Sequence, residues 1–178
     1  MDRATDPMTA TPSHSVAKRP CCWPLADPPA TAVRPFQEGT MPAIRRQINI
    51  ANTPRTVWNA LTTADGLTSW LVDEARVDPR KGGRIVWTQE GDDGSPVQGH
   101  GTILKWRPTS SLEITWDKGG GFPMAGCRIV FQVARDGDET RLALVLSGPQ
   151  CEDEEQRAAL DKEWSRDLRA IQSWLDVD

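Results

Sequence analysis

Leu160, Trp164, Leu168, Ile171 and Leu175 recur at spacings of four, four, three and four residues. That is a single apolar stripe, and it predicts one long helix over about 152–176. Glu152, Asp153, Glu154 and Glu155 crowd its first turn, where the helix dipole favours negative charge. Asp161, Lys162, Arg166 and Arg169 form the opposite face and read as solvated. One stripe is narrow, so whatever the rest of the chain builds must curve around it to be covered.

The segments ahead of that helix alternate with a period of two. "AIRRQINI" is the first strand, with Ile48 and Ile50 on one face. In "NTPRTVWNALT", Thr53 caps a short helix, Pro54 takes its first position, and Val57, Trp58 and Leu61 are its apolar side. Thr63 caps a second short helix carrying Leu67, Trp70 and Leu71. Six strands follow: "EARVD", "RIVWTQE", "VQGHGTILKW", "SLEITWD", "CRIVFQVA" and "TRLALVLS". The turns "DPRKGG", "GDDGSP", "RPTS" and "RDGDE" are short, which makes consecutive strands antiparallel neighbours. The expected architecture is therefore α+β: a curved antiparallel sheet wrapped around the C-terminal helix, with two short helices closing one end. Space between sheet and helix would be an apolar pocket.

Residues 1–41 are different in kind. Half of the 14 prolines fall there, without periodicity, and "CCWPLADPPATAVRP" suits neither helix nor interior strand. The segment reads as a disordered Pro-rich tail, or as sequence ahead of a true start at Met41, with the folded domain over 42–178. It lacks the apolar core of a signal peptide, so the expected location is cytoplasmic.

Charge and composition narrow the functional classes. The 178-residue chain has a net charge of −4, which argues against nucleic acid as a partner. No run reaches the length of a membrane span. Cys21, Cys22, Cys127 and Cys151 form no C-x-x-C pair, and His14 and His100 are the only histidines, so neither a metal site nor a disulfide framework is expected. No phosphate loop, cofactor motif or Ser-His-Asp order appears. Eight tryptophans and no tyrosine remove every phenol from the acid–base inventory.

The candidate site residues follow from that inventory. Trp70, Trp87 and Trp116 are candidates for a pocket wall, since an indole joins a large apolar area to one N–H donor. Trp58, Trp164 and Trp174 read as core. Phe122 sits at the tip of "KGGGFPMAG", a flexible connection that reads either as a lid or as a plain loop. Alternation places His100 on the face of Thr102, Leu104 and Trp106, within reach of the pocket, with the glycines of "QGHG" marking a bulge. His100 is thus a ligand contact and a weak candidate acid or base. Arg84 is either a pocket anion-holder or a surface residue, while Glu113, Thr115 and Asp117 belong to the outer face.

"TPRTVWNALT", "LTSWL", "GGRIVW", "GHGTILKWRPTSSLEITW", "ETRLALVLSG" and the Trp164–Leu168 pair, in this order and spacing, are similar to the helix-grip fold of the START-like (SRPBCC) superfamily. Within it they resemble the homologues of the activator of heat shock protein 90 ATPase. A departure is Lys105, near which a glutamate is common in that family. The resemblance implies mainly this architecture, since ligands and activities vary widely in the family; the leading expectation is a domain that binds a small hydrophobic molecule. An enzyme of the cyclase or dehydratase type acting on a polyketide-like substrate is the alternative, and contact with a chaperone a weaker one. Because the first 40 residues carry no apolar pattern, a chain beginning at Met41 is expected to melt at the temperature of the full chain. A drop of more than a few degrees in a calorimetric scan would show the tail docked on the domain.

Overall fold

The computed structural model describes residues 42–91, 93–119 and 121–176, all within the unit Gly39–Asp178. The expectations for residues 1–41 lie outside the described residues. Seven strands form one sheet: β1 (Ala43–Ile50), β2 (Glu74–Val77), β3 (Arg84–Glu90), β4 (Pro96–Arg107), β5 (Ser111–Trp116), β6 (Arg128–Asp136) and β7 (Glu139–Ser147). Every pairing is antiparallel, in the order β1-β7-β6-β5-β4-β3-β2. Helices α1 (Pro54–Thr62) and α2 (Ala64–Trp70) follow β1, and α3 (Pro149–Glu152) and α4 (Glu154–Leu175) end the chain. The curved sheet and long terminal helix are those of the expected helix-grip fold. None of the described helices is long and apolar enough to cross a membrane.

Thr63 explains why one short helix follows another at once. Its backbone N–H closes α1 on the Asn59 carbonyl, and its hydroxyl oxygen accepts from Gly66 N at 3.0 Å to open α2. Gly66 is required because a Cβ there would lie 2.6 Å from the Asn59 oxygen and 2.7 Å from Ala60 Cα. The Trp70 indole donates to the Ala60 carbonyl at 3.0 Å and locks the pair together.

Strand alternation sends one side of the sheet inward. Ile44, Leu146, Ile129, Ile114 and Ile103 face each other across successive strands, as do Leu144, Phe131 and Leu112. All are buried. The α4 stripe of Leu160, Trp164, Leu168, Ile171 and Leu175 is buried too, and the Trp164 ring meets Phe131 edge-on at 6.0 Å between centroids. Polar contacts fix α4 to the β1 edge. Gln172 donates to the Asn49 carbonyl at 2.7 Å, and Asn52 donates to the Leu175 carbonyl at 3.1 Å.

Four expectations change. The terminal helix does not run unbroken from 152: Asp153 is extended, separates α3 from α4, and accepts from Gln156 N at 2.8 Å as the cap of α4. Asp161 is not simply solvated, since its carboxylate pairs with the Arg46 guanidinium of β1. Trp174 is not core but 36% exposed, because it lies off the stripe. The bulge in β4 falls between Ile103 and Lys105 rather than at "QGHG", leaving Leu104 as the extra residue, 40% exposed.

Trp164 is the side chain by which α4 grips the sheet. Trp164→Ala is expected to lower stability by roughly 3–5 kcal/mol, a large share of the roughly 5–15 kcal/mol a domain of this size has. Urea denaturation of wild type and variant would measure it, and a loss under about 1 kcal/mol would mean that the Phe131 contact contributes little.

Candidate ligand-binding site

The bulge at Leu104 decides which side chains meet. Upstream of it, Gly99, Gly101 and Ile103 point inward and His100 and Thr102 outward. Downstream the phase shifts by one, so Trp106 points inward and packs edge-on against Trp58 of α1 at 5.3 Å. His100 and Trp106 therefore lie on opposite faces, and the expected grouping of the two is corrected. His100 is exposed, in a shallow cavity of about 140 Å³ with Glu74, Arg76, Val86, Thr88 and Gln98. Arg84 shares the outer face, donating to Asp117 at 2.9 Å and to Thr102 at 3.2 Å.

On the inner face, Trp87 of β3 lies opposite Gly99, and Trp116 of β5 lies opposite Gly101. Their strands are separated by β4, a backbone distance of about 9–10 Å. The two indoles nevertheless meet at 4.6 Å between centroids, tilted by 55°. The β4 residue opposite each of them is a glycine, Gly99 and Gly101. Any side chain at Gly101 would press on Ile85 and Ile114, both 3.0 Å from a would-be Cβ.

The Phe122 ring completes the group, 4.9 Å from Trp116. A Cβ on Gly99 would lie only 2.4–2.6 Å from three atoms of that ring, so Phe122 rests directly on the glycine. Its loop is pinned at the base, where Gly126 N donates to the Asp117 carbonyl at 3.3 Å and Gln150 donates to the Ala125 carbonyl at 2.8 Å. Toward the tip, Gly119 and Gly121 take left-handed φ of 106° and 70°.

The group is closed to water, with Trp87, Trp116 and Phe122 exposed by 0%, 2% and 4%. Yet the indole nitrogens of Trp87 and Trp116 find no hydrogen-bond partner. A buried donor left unpaired costs about 1–3 kcal/mol. Trp70, the third expected wall residue, is half-buried and has already committed its N–H to Ala60. The structure thus brings together Trp87, Trp116 and Phe122, holds Trp70 against α1, and places His100 on the other side of the sheet.

Sequence reading missed the part played by Gly99 and Gly101, for which an alternating Gly-x-Gly inside a strand was the signal. It also missed Asp167, a largely buried carboxyl on α4 that desolvation raises above the usual carboxylate range against the pull of Arg166. Burial pushes the Cys127 thiol up to about 11 and raises Cys151 as well, so both are neutral thiols near pH 7. Among the described residues no group of three or more His, Cys, Asp or Glu is placed to hold a metal ion.

A seven-stranded antiparallel sheet, a paired short helix and a long helix laid over aromatic side chains define a helix-grip domain. The model of the Activator of Hsp90 ATPase homolog 1-like family matches residues 51–176, and the chain belongs to that family. No curated protein matches it in sequence. Among solved structures it is similar to a protein of Nitrosomonas europaea, with a TM-score of 0.66 at 16% identity over 76% of this chain and 95% of that one. It is also similar to the Aha1 dimer of Colwellia psychrerythraea, with a TM-score of 0.63 at 20% identity over 76% and 96%. A third is a protein from the dynemicin biosynthetic locus, with a TM-score of 0.62 at 16% identity over 76% of this chain and 47% of that one. At these identities the likeness is one of fold.

The seating of Phe122 on Gly99 makes a coupling measurable. Gly99→Ala is expected to cost about 1–3 kcal/mol by forcing the ring off the strand. In a Phe122→Ala background the same change should be nearly neutral, because the clashing ring is gone. A double-mutant cycle by urea denaturation reads the difference, and equal costs in both backgrounds would place the Gly99 constraint elsewhere.

Proposed function

We propose that the domain binds one small hydrophobic molecule on the inner face of the sheet, with Trp87, Trp116 and Phe122 as its main contacts and Trp70 at the α1–α2 side. The observation that carries this reading is the meeting of two indoles across a strand that offers only glycine between them. An ordinary core fills such a space with aliphatic side chains. Here β4 forgoes side chains at two inward positions: the room over Gly99 is taken by the Phe122 ring, delivered by a glycine-rich loop, while Ile85 and Ile114 close over Gly101. Flat aromatic walls with few polar groups are the usual lining of small-molecule pockets.

Acid–base catalysis in the same pocket has less support. Its one candidate, His100, is exposed on the opposite face, where no ligand on the inner face of the sheet would meet it. The similarity to a protein from the dynemicin biosynthetic locus agrees with a biosynthetic small molecule as ligand, and equally with carriage as with conversion.

An apolar fluorophore, N-phenyl-1-naphthylamine, is expected to bind at one site and quench tryptophan emission. Trp116→Ala should weaken it about tenfold or more, equivalent to ~1.4 kcal/mol. His100→Ala should leave the affinity unchanged, since that side chain is on the far face. A titration that never saturates would overturn the proposed function, and a loss on His100→Ala equal to that on Trp116→Ala would move the site to the outer face.

A further inference from the structure

We infer that two copies of this chain pair edge to edge through β2, in the one register that sets Glu74 of each copy against Arg76 of the other. The inference is independent of the binding function proposed above and concerns the open edge of the sheet.

The strand β2 ends the sheet, with β3 on one side and no strand on the other. Asp78 N donates to the Arg84 carbonyl at 2.9 Å, which makes that rung of the β2–β3 ladder a hydrogen-bonded one. Rungs alternate in an antiparallel ladder, so Arg76 and Glu74 also turn their backbone groups toward β3. The N–H and C=O of Ala75 and Val77 therefore point away from the sheet. Among the described residues no side chain or loop bonds to them. The other edge is different, since Gln172 of α4 takes up the Asn49 carbonyl of β1.

Charge selects the occupant of the open edge. Glu74 and Arg76 are exposed on the outer face, and among the described residues neither forms an ion pair, whereas Arg80 and Arg84 pair with Asp78 and Asp117. Two copies related by a two-fold axis through Ala75 exchange two N–H···O=C bonds between their Ala75 residues. Glu74 then lies opposite the partner's Arg76, and Arg76 opposite the partner's Glu74, at the closely spaced positions of the ladder. Ala75 set against the partner's Val77 would instead bring Arg76 against the partner's Arg76. Val77 set against the partner's Val77 would bring Ala75 against the partner's Pro79, which has no N–H, and Arg76 against the partner's Asp78, which Arg80 already holds at 2.9 Å. Only the first register satisfies both backbone and charge.

The size of the seam sets the kind of dimer. Strand β2 has four residues. A stable interface buries about 800 Å² on each partner, from roughly 20–30 residues, so this pairing is reversible rather than obligate. It also adds the partner's Glu74 and Arg76 to the rim of the shallow outer cavity lined by Val86, Thr88, Gln98 and His100.

Charge reversal tests the pairing. Sedimentation equilibrium on the full chain, from about 10 μM to about 1 mM, is expected to show a reversible monomer–dimer equilibrium. Glu74→Arg alone, or Arg76→Glu alone, sets like charges opposite each other twice along the seam and should weaken the dimer about tenfold or more. The double swap Glu74→Arg/Arg76→Glu should restore it. So should an equimolar mixture of the two single variants, because one then presents two arginines and the other two glutamates. Ala75→Pro removes the outward N–H without touching the ladder to β3, and should abolish the dimer while the melting temperature stays near that of wild type. Should the proline variant melt lower, the mixture of charge variants decides. A chain that stays monomeric at the highest concentration overturns the inference. A dimer that neither charge reversal weakens lies elsewhere on the molecule and overturns it as well. Weakening by the single variants without recovery in their mixture overturns the register.

Discussion

A sheet of seven strands has one long helix with which to cover its apolar face, and most of the structure answers to that shortage. The helix α4 is fixed at the β1 side, by Gln172 to Asn49, by Asn52 to Leu175 and by the Arg46–Asp161 pair. Trp164 reaches from it to Phe131 on β6. The inner face of β3, β4 and β5 is closed in another way. Trp106 of β4 packs on Trp58 of α1, and Trp87 and Trp116 pack on each other with Phe122 beside them. Aromatic side chains supply the reach that a second covering helix would otherwise supply, and three of these residues come from the three strands themselves.

Covering by side chains makes β4 the critical strand. A Cβ on Gly99 would strike the Phe122 ring and one on Gly101 would press on Ile85 and Ile114, so a side chain at either position would force this inner layer to shift. The bulge at Leu104 then turns the strand over, so that Trp106 faces the same interior although it lies an odd number of residues from Gly101. Within 12 residues one strand thus offers two glycine floors, an exposed leucine and an inward tryptophan. Its outer side meanwhile carries His100 and the Thr102 that receives Arg84.

The element order was legible because its signals are local. Thr53, Pro54 and Thr63 mark helix ends by capping chemistry, and the strands announce themselves by alternation. The α4 stripe was legible for the same reason. What was not legible depends on a one-residue change of register. Alternation assigns His100 and Trp106 to one face, and a single extra residue at Leu104 reverses that with no signature in the sequence beyond glycines elsewhere in the strand. Trp87, Trp116 and Phe122 could be picked out as pocket candidates from residue type, but their meeting could not, since Phe122 is brought in by a loop whose path the sequence leaves open. Trp174 fails as core for a simpler reason: it lies one residue before Leu175, off the stripe.

Having tryptophan where other proteins use tyrosine then limits the chemistry of the interior. A phenol both donates and accepts, and ionises near pH 10, whereas an indole N–H only donates and stays neutral. The chain has eight tryptophans and no tyrosine, and its buried thiols are held protonated by desolvation. The aromatic interior can therefore polarise an acceptor by hydrogen bonding but has no group there that exchanges a proton near neutrality. A molecule held against Trp87 and Trp116 would be oriented and shielded from water, and any proton transfer would have to come from a side chain outside that cluster. Asp167, whose carboxyl desolvation raises above the usual carboxylate range, sits on the helix between the buried Trp164 and Ile171 rather than among the rings. Selection by shape and by acceptor position is what such a surface does well, and it is the physical ground for placing binding ahead of catalysis.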